Sequence, residues 1–231
     1  MALFLVMGSY CQKVVREEDG TGEVGREDMR TSWDNAMQMD WGRAMEHLME
    51  LATPQDTARG MFLNRTLETV RSLGDEAALK RCQEVLGQQR LLDFVNYPVT
   101  LLIQLTLTAV RELSARHGGP EQVLRLLGQK AAVGLMSSTV GTAMHTRTGT
   151  GDEHISSSIQ AIYKVTSNYG ERSVQWLGPK RGILTMRRSF LPMPYHEGAM
   201  LEILTRLGAQ LPRVQGRVLG SLDSEYDFSW S

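Results

Sequence analysis

The chain has 231 residues, with 25 Lys+Arg against 26 Asp+Glu for a net charge of −1, and 42% of it is hydrophobic. This composition excludes wholesale disorder and suits one large domain with a short appendage. Balanced charge argues against a dedicated nucleic-acid binder, whose phosphate contacts need a basic excess.

In chain order, the apolar run from Ala2 to Met7 lacks the basic flank and the length of an export signal, and Tyr10 stands where a small residue should precede Cys11. It reads as a first strand, or as a start upstream of the natural one. Residues 16–28 hold six acidic residues, two arginines and three glycines, the composition of a flexible linker. Residues 1–32 are therefore read as an appendage and 33–231 as a single α+β domain. Ser32 is an N-cap candidate for a helix carrying Trp33, Met37, Trp41, Ala44, Met45 and Leu48 at three- and four-residue intervals, stopped at Thr53-Pro54.

Helices follow. Residues 57–73 place Met61, Phe62, Thr66, Val70 and Leu73 on one face, and Asp75 caps a helix running to Leu86. Tyr97-Pro98 opens a longer helix to Arg116, and Pro120 starts another, expected to break near Gly128 or Gly134. Residues 156–165 form one more. The stretch from Val99 to Val110, interrupted by Thr100, Gln104, Thr106 and Thr108, is too short and too polar for a membrane span, so a cytoplasmic protein is expected.

From Ser173 the period changes to that of strands. SVQWLGP and GILTMRRSF flank a Gly178-Pro179 turn, residues 195–207 read as a helix, and RVQGRVLGSLDSEYDFSW supplies two more strands. Tyr226, Phe228 and Trp230 alternate onto one face. The reading is a helical N-terminal half packed on a C-terminal antiparallel sheet in the order strand–strand–helix–strand–strand.

The words TARGMFLNRTLETVRSLG, YPVTLLIQL, QVLRLLGQKAAVGLMSSTVGTAM, LPMPYHEGAMLEIL and LDSEYDFSW, in that order, resemble a paralogous myxobacterial family of unknown function over roughly three quarters of the chain. The element order, with Pro-x-Tyr-x-x-Gly opening the late helix, is also similar to vinyl-reductase-type ligand-binding domains, haem–nitric-oxide-binding domains and vesicle-tethering subunits. That likeness implies an apolar cavity between helices and sheet for a small ligand or acyl chain, and dimerisation through helices. Its zinc versions need clustered cysteines, which Cys11 and Cys82 do not provide. Its haem versions need an axial histidine with Tyr-x-Ser-x-Arg. Tyr169-Gly-Glu-Arg172 has a different spacing and no serine, so no cofactor is expected.

No catalytic motif appears. The histidines form no HExxH pair, no GxSxG is present, and no metal site is expected. His145 and His154 flank TRTGTG beside Asp152 and Glu153, the nearest approach to a His/carboxylate cluster. His196-Glu197 opens the late helix after Tyr195. Residues 171–189 hold Arg172, Lys180, Arg181, Arg187 and Arg188 against Glu171, with Trp176 nearby for stacking, which would suit an anion or acidic partner. Basic residues on an edge strand also serve simply to prevent aggregation. The candidate ligand or partner contacts are accordingly His145, His154, Arg172, Trp176, Arg181, Tyr195 and His196.

The functional expectation is a non-enzymatic regulatory or sensor module in bacterial signalling, binding a small apolar ligand or a protein partner. A dimeric adaptor without a cavity is one alternative, and an unrecognised enzyme using the His145/His154 region is the other. An apolar cavity would favour the sensor, and a filled core the adaptor.

Overall fold

A computed structural model describes residues 41–87, 90–138, 141–142, 154–155, 158–159, 161–162 and 168–231. The apolar run, the acidic linker, the TRTGTG segment and His145 lie outside them.

Helix α1 (41–51) is followed by a three-residue strand β1 (Thr57–Arg59), helix α2 (Gly60–Leu73) and helix α3 (Glu76–Leu86). Strand β2 (Asn96–Pro98) pairs antiparallel with β1 and leads into α4 (Val99–Leu113), and α5 spans Pro120–Ser137. Helical backbone recurs at 154–155, just before the helix expected over 156–165, and at 158–159 and 161–162 within it. The C-terminal third runs β3 (Glu171–Gly178), β4 (Arg181–Arg187), α6 (Met193–Arg206), β5 (Arg213–Val218) and β6 (Ser224–Ser229). The four strands form one antiparallel sheet in the order β3-β4-β6-β5, so the α+β reading holds.

Local chemistry accounts for the helix ends. The Asp75 carboxylate accepts from the Ala78 N–H at 2.8 Å, satisfying one of the N–H groups left without an intrahelical partner. After α4, Gly118 and Gly119 take φ of 78° and 90°, and Pro120 enters the first turn of α5, where its missing N–H costs nothing. His117 donates from Nε2 to the Leu73 carbonyl at 2.9 Å, closing the end of α2 rather than that of its own helix.

One expectation is overturned: α5 does not break at Gly128 or Gly134. Gly128 packs against α6 so tightly that a Cβ there would stand 1.9 Å from the Tyr195 carbonyl oxygen, and one on Gly198 would stand 2.1 Å from that of Arg125. The two glycines allow backbone-to-backbone crossing of α5 and α6, which outweighs the intrinsic cost of glycine in a helix.

Three apolar clusters follow. The inner face of the sheet, with Leu184, Met186, Tyr226, Phe228 and Trp230, packs with residues of α5 and α6 such as Leu135, Met200 and Ile203. A second cluster joins α2 to α5 around Leu63, Val70, Leu105 and Leu124. A third sets Met45 and Leu48 of α1 against Ile103, Leu107 and Phe190. Glu197 ties the helices to the sheet: its Oε2 accepts from Arg125 Nε (3.0 Å) and Nη2 (2.8 Å), while Oε1 accepts from the Gly216 N–H (2.8 Å).

Candidate ligand pocket

The close crossing of α5 and α6 creates a space beside it. Beyond Gly128, α5 presents Ala131, Ala132 and Leu135, and α6 presents Ala199 and Ile203 beyond Gly198. The alanine side chains that line this space are too short to fill it. A cavity of about 60 Å³ results, closed further by Phe62 of α2, Leu102 of α4, Ala58 and Leu191. Among the described residues its walls are apolar except at one corner, lined by Tyr169, Arg172, Tyr195 and His196.

Each polar residue of that corner has a structural reason to be there. Asn168 accepts from the Thr57 N–H at 2.9 Å and donates to the Gln55 carbonyl at 2.9 Å, fastening the start of this segment to the strand β1 region. Tyr169 packs edge-on against Phe190, with ring centroids 5.0 Å apart, and burial pushes its phenol up to about 12. Gly170 adopts φ 67°, and a Cβ there would lie 2.3 Å from Arg172 Nη1 and 2.3 Å from the Arg187 carbonyl oxygen. Only a residue without a Cβ lets the guanidinium fold back into this space.

Arg172 shares its strand face with Val174 and Trp176, the face turned toward the helices. Its Nη1 donates to the Tyr169 carbonyl at 3.0 Å, and its guanidinium carbon lies 5.5 Å from the centroid of the Tyr169 ring.

His196 lies between two tyrosines, 5.7 Å from the Tyr195 ring and 5.9 Å from that of Tyr226, both edge-on. Its Nε2 is 2.8 Å from Ser189 Oγ. The ring is only partly exposed, and that surface belongs to the pocket wall. Burial, reinforced by the positive charge of Arg172, lowers its pKa to about 3, so the imidazole is neutral at physiological pH.

Of the sequence candidates, the structure therefore brings Arg172, Tyr195 and His196 together. Trp176 lies on the same sheet face but packs edge-on against Phe228 and Trp230 and does not line the pocket. Arg181 is on the opposite, solvent face, where Nη2 lies 2.6 Å from Asp227 Oδ2. A register irregularity between Trp176 and Gly178 accompanies the hairpin. Arg187 faces Asp223 at 3.7 Å, and Arg188, at φ 52°, turns back to Asp56, so the cationic run is dispersed over several partners. His154 is buried on helical backbone and is not among the described residues that line the pocket.

Sequence reasoning missed Tyr169 as a wall residue, and it missed the alanines, whose role is to be small. The readable signal for Tyr169 was its place in Asn168-Tyr169-Gly170, where glycine marks a left-handed turn. Cys82 is buried, which pushes its thiol up to about 11 and makes it a packing residue. Among the described residues no group of three or more His, Cys, Asp or Glu could hold a metal ion, and no helix is long and apolar enough to cross a membrane.

Comparison with solved structures supports the fold. An H-NOX protein of S. oneidensis in an Fe(II) ligation state aligns with a TM-score of 0.58 at 14% identity, covering 75% of this chain and 96% of that one. The H-NOX of Shewanella woodyi, solved with IWP-051 in the Fe(II)CO state, gives 0.56 at 15% identity over 74% of this chain and 94% of its own. The unliganded Fe(II) H-NOX protein of K. algicida gives 0.54 at 10% identity over 75% and 96%. At these identities the likeness is one of fold. No curated protein matches the chain. A family model does match, over residues 51–231, and the chain belongs to that family, the proteins of unknown function designated DUF2378.

Proposed function

We propose that this chain is a non-enzymatic sensor module of bacterial signalling that holds a small, largely apolar ligand in the pocket between α2, α5 and α6. The observation that carries the reading is the pocket itself, an apolar space with one polar corner, built beside a glycine-mediated helix crossing. Such concave apolar sites with a few convergent polar groups are the usual form of a small-molecule site. The H-NOX-like fold supports a ligand-binding sensor.

The pocket residues do not fit a haem, which the relatives' iron states would suggest. The interior of about 60 Å³ falls well below the roughly 300 Å³ at which drug-sized ligand pockets begin. The imidazole on its wall already engages Ser189 through Nε2. The ligand is therefore more compact than a macrocycle.

Native mass spectrometry of the protein purified from its own host tests the proposal. A small molecule should be retained by the wild type and lost from Ala132→Phe, a variant that fills the space while keeping its far-ultraviolet circular dichroism. Wild-type protein carrying no additional mass would count against a sensor.

A protein partner is the second reading, favoured by exposed Phe94 (77%) near Leu92, and by Leu211, Val218 and Leu219 at the opposite end of the described fold's sequence. Sedimentation over a concentration series would show whether these surfaces join two copies.

A further inference from the structure

We infer that the pocket's ligand is an uncharged short-chain alcohol, its hydroxyl at ring nitrogen Nδ1 of His196 and its carbons among Ala132, Ala199 and Ile203. This rests on the pocket being a ligand site and adds the chemical class that the site selects.

Size limits the carbon chain. An apolar cavity of roughly 150 Å³ accommodates benzene, whereas this interior is about 60 Å³. In proportion it admits a molecule of about two to four heavy atoms.

One atom sets the polar group. His196 lines the space, and its Nε2 is committed to Ser189 Oγ at 2.8 Å. Nδ1 has no hydrogen-bond partner among the described residues, yet it is not one of the wholly buried polar atoms. It is therefore open to a water-sized group. The other polar residues of the wall, Tyr169, Arg172 and Tyr195, have interactions of their own within the chain. A molecule that displaces water from the cavity must return to Nδ1 the hydrogen bond it loses, or the nitrogen is desolvated without compensation.

Charge and tautomer narrow the class. The imidazole is kept neutral by burial and, to a lesser extent, by Arg172, so it offers a carboxylate no counter-charge. An ammonium group would bring a second cation to a corner that already holds Arg172. Either ion would also leave water for mostly apolar walls. Whether Ser189 donates to Nε2 or accepts from it decides if Nδ1 carries a proton. A hydroxyl accepts in the first case and donates in the second, so an alcohol fits both tautomers. A carbonyl fits only one.

The test is titration of the full chain, followed by NMR, with 1-propanol and with butane, in which a methyl replaces the hydroxyl. Propionate and propylammonium are the charged comparisons. The Ala131, Ala132 and Ala199 methyl resonances report occupancy, and the His196 imidazole nitrogen resonances report the hydrogen bond. A molecule this small binds no more tightly than about 40 μM, so the soluble probes are used at millimolar concentration. 1-Propanol should move the Ala132 methyl and His196 Nδ1 along one saturable curve, with either ion at least about tenfold weaker. His196→Phe, which keeps a ring and removes both nitrogens, should weaken 1-propanol relative to butane by at least about tenfold. Ala132→Phe should abolish the response to both. Saturable methyl shifts with Nδ1 unmoved, an ion binding as tightly as 1-propanol, or a ratio unchanged in His196→Phe would overturn the alcohol inference and leave the pocket reading standing. Methyl resonances that no probe moves would overturn both. If His196→Phe does not fold, the Nδ1 resonance of the wild type still decides.

Discussion

Asp56 and Arg188, 132 positions apart in sequence, are joined by a 2.7 Å hydrogen bond from Nη2 to Oδ2. The same carboxylate accepts from the Thr53 N–H (2.7 Å) and from Thr53 Oγ1 (2.8 Å), and the Arg188 cation lies 5.2 Å from the centroid of the Phe190 ring. The segment before β1 is thereby fastened to the end of β4. Burial opposes ionisation of Asp56, but the hydrogen bonds of Arg188 and Thr53 outweigh it and hold the carboxyl below its ordinary range. Asp56→Asn should cost about 1–3 kcal/mol, because it removes the charge while Arg188 remains able to reach water. A carboxyl with a depressed folded pKa contributes stability that is present above its unfolded value and lost as pH falls through the folded one. Urea midpoints compared at pH 7 and pH 3 should therefore show the variant closer to wild type at the lower pH.

Gly128 makes the opposite prediction from its helix propensity. In an exposed helix, replacing glycine with alanine gains about 1 kcal/mol. Here the added Cβ would lie 1.9 Å from the Tyr195 carbonyl oxygen and 2.8 Å from its carbon, backbone atoms that cannot turn aside. Gly128→Ala should instead destabilise by about 2–4 kcal/mol as α5 and α6 separate. Gly87, with open space around its missing side chain, isolates the backbone contribution: at φ 62° and ψ −142° it holds a conformation close to one reserved for glycine, so Gly87→Ala should cost about 1–3 kcal/mol from backbone strain with no clash against a neighbour. Chemical unfolding of the two variants provides the comparison.

The same crossing shows what was legible in the sequence. Helix and strand order could be read because Thr66, Val70, Met200 and Ile203 recur at helical spacing, while Tyr226, Phe228 and Trp230 alternate, and each period reports one buried face. Interior glycines were ambiguous. Gly128 looks like a break, and only the facing Gly198 makes it a contact, a relation between positions 70 residues apart. Strands β1 and β2, three residues each, are too short for any alternation to register. The site was legible in its polar corner, since Arg172, Tyr195 and His196 are chemically conspicuous. It was illegible in its volume, because Ala131, Ala132 and Ala199 look like ordinary helix formers. Trp176 and Arg181 seemed to share a patch, yet strand pairing and the irregularity near Gly178 send them to opposite faces.

Thr106 is wholly buried in α4, and its Oγ1 has no hydrogen-bond partner among the described residues. A buried hydroxyl of this kind loses its water without compensation. Thr106→Val has nearly the same shape and should stabilise the protein by about 1 kcal/mol, raising its melting temperature by about 2–4 °C for a domain of this size. Calorimetry of the two proteins measures it. A lower melting temperature for the valine variant would show that the hydroxyl has a partner after all.

His196 should make the fold sensitive to mild acid. Its pKa is about 3 in the folded chain against an ordinary 6.5, burial being the larger cause and Arg172 the smaller. Between those values the unfolded chain binds a proton that the folded chain does not. Stability therefore falls as pH drops from about 6.5 toward 3, with a limiting slope of about 1.4 kcal/mol per pH unit. Water entering the pocket lessens the full effect, so about 1–3 kcal/mol should be lost between pH 6.5 and pH 4.5 on this account. His196→Gln keeps a hydrogen-bonding partner for Ser189 and cannot titrate. Its stability relative to wild type should rise over that interval, the gap between the two curves widening steadily as pH falls from 6.5 to 4.5. Parallel curves would mean that the imidazole takes up its proton in the folded state, and that the corner around Arg172 is more open to water than its walls indicate.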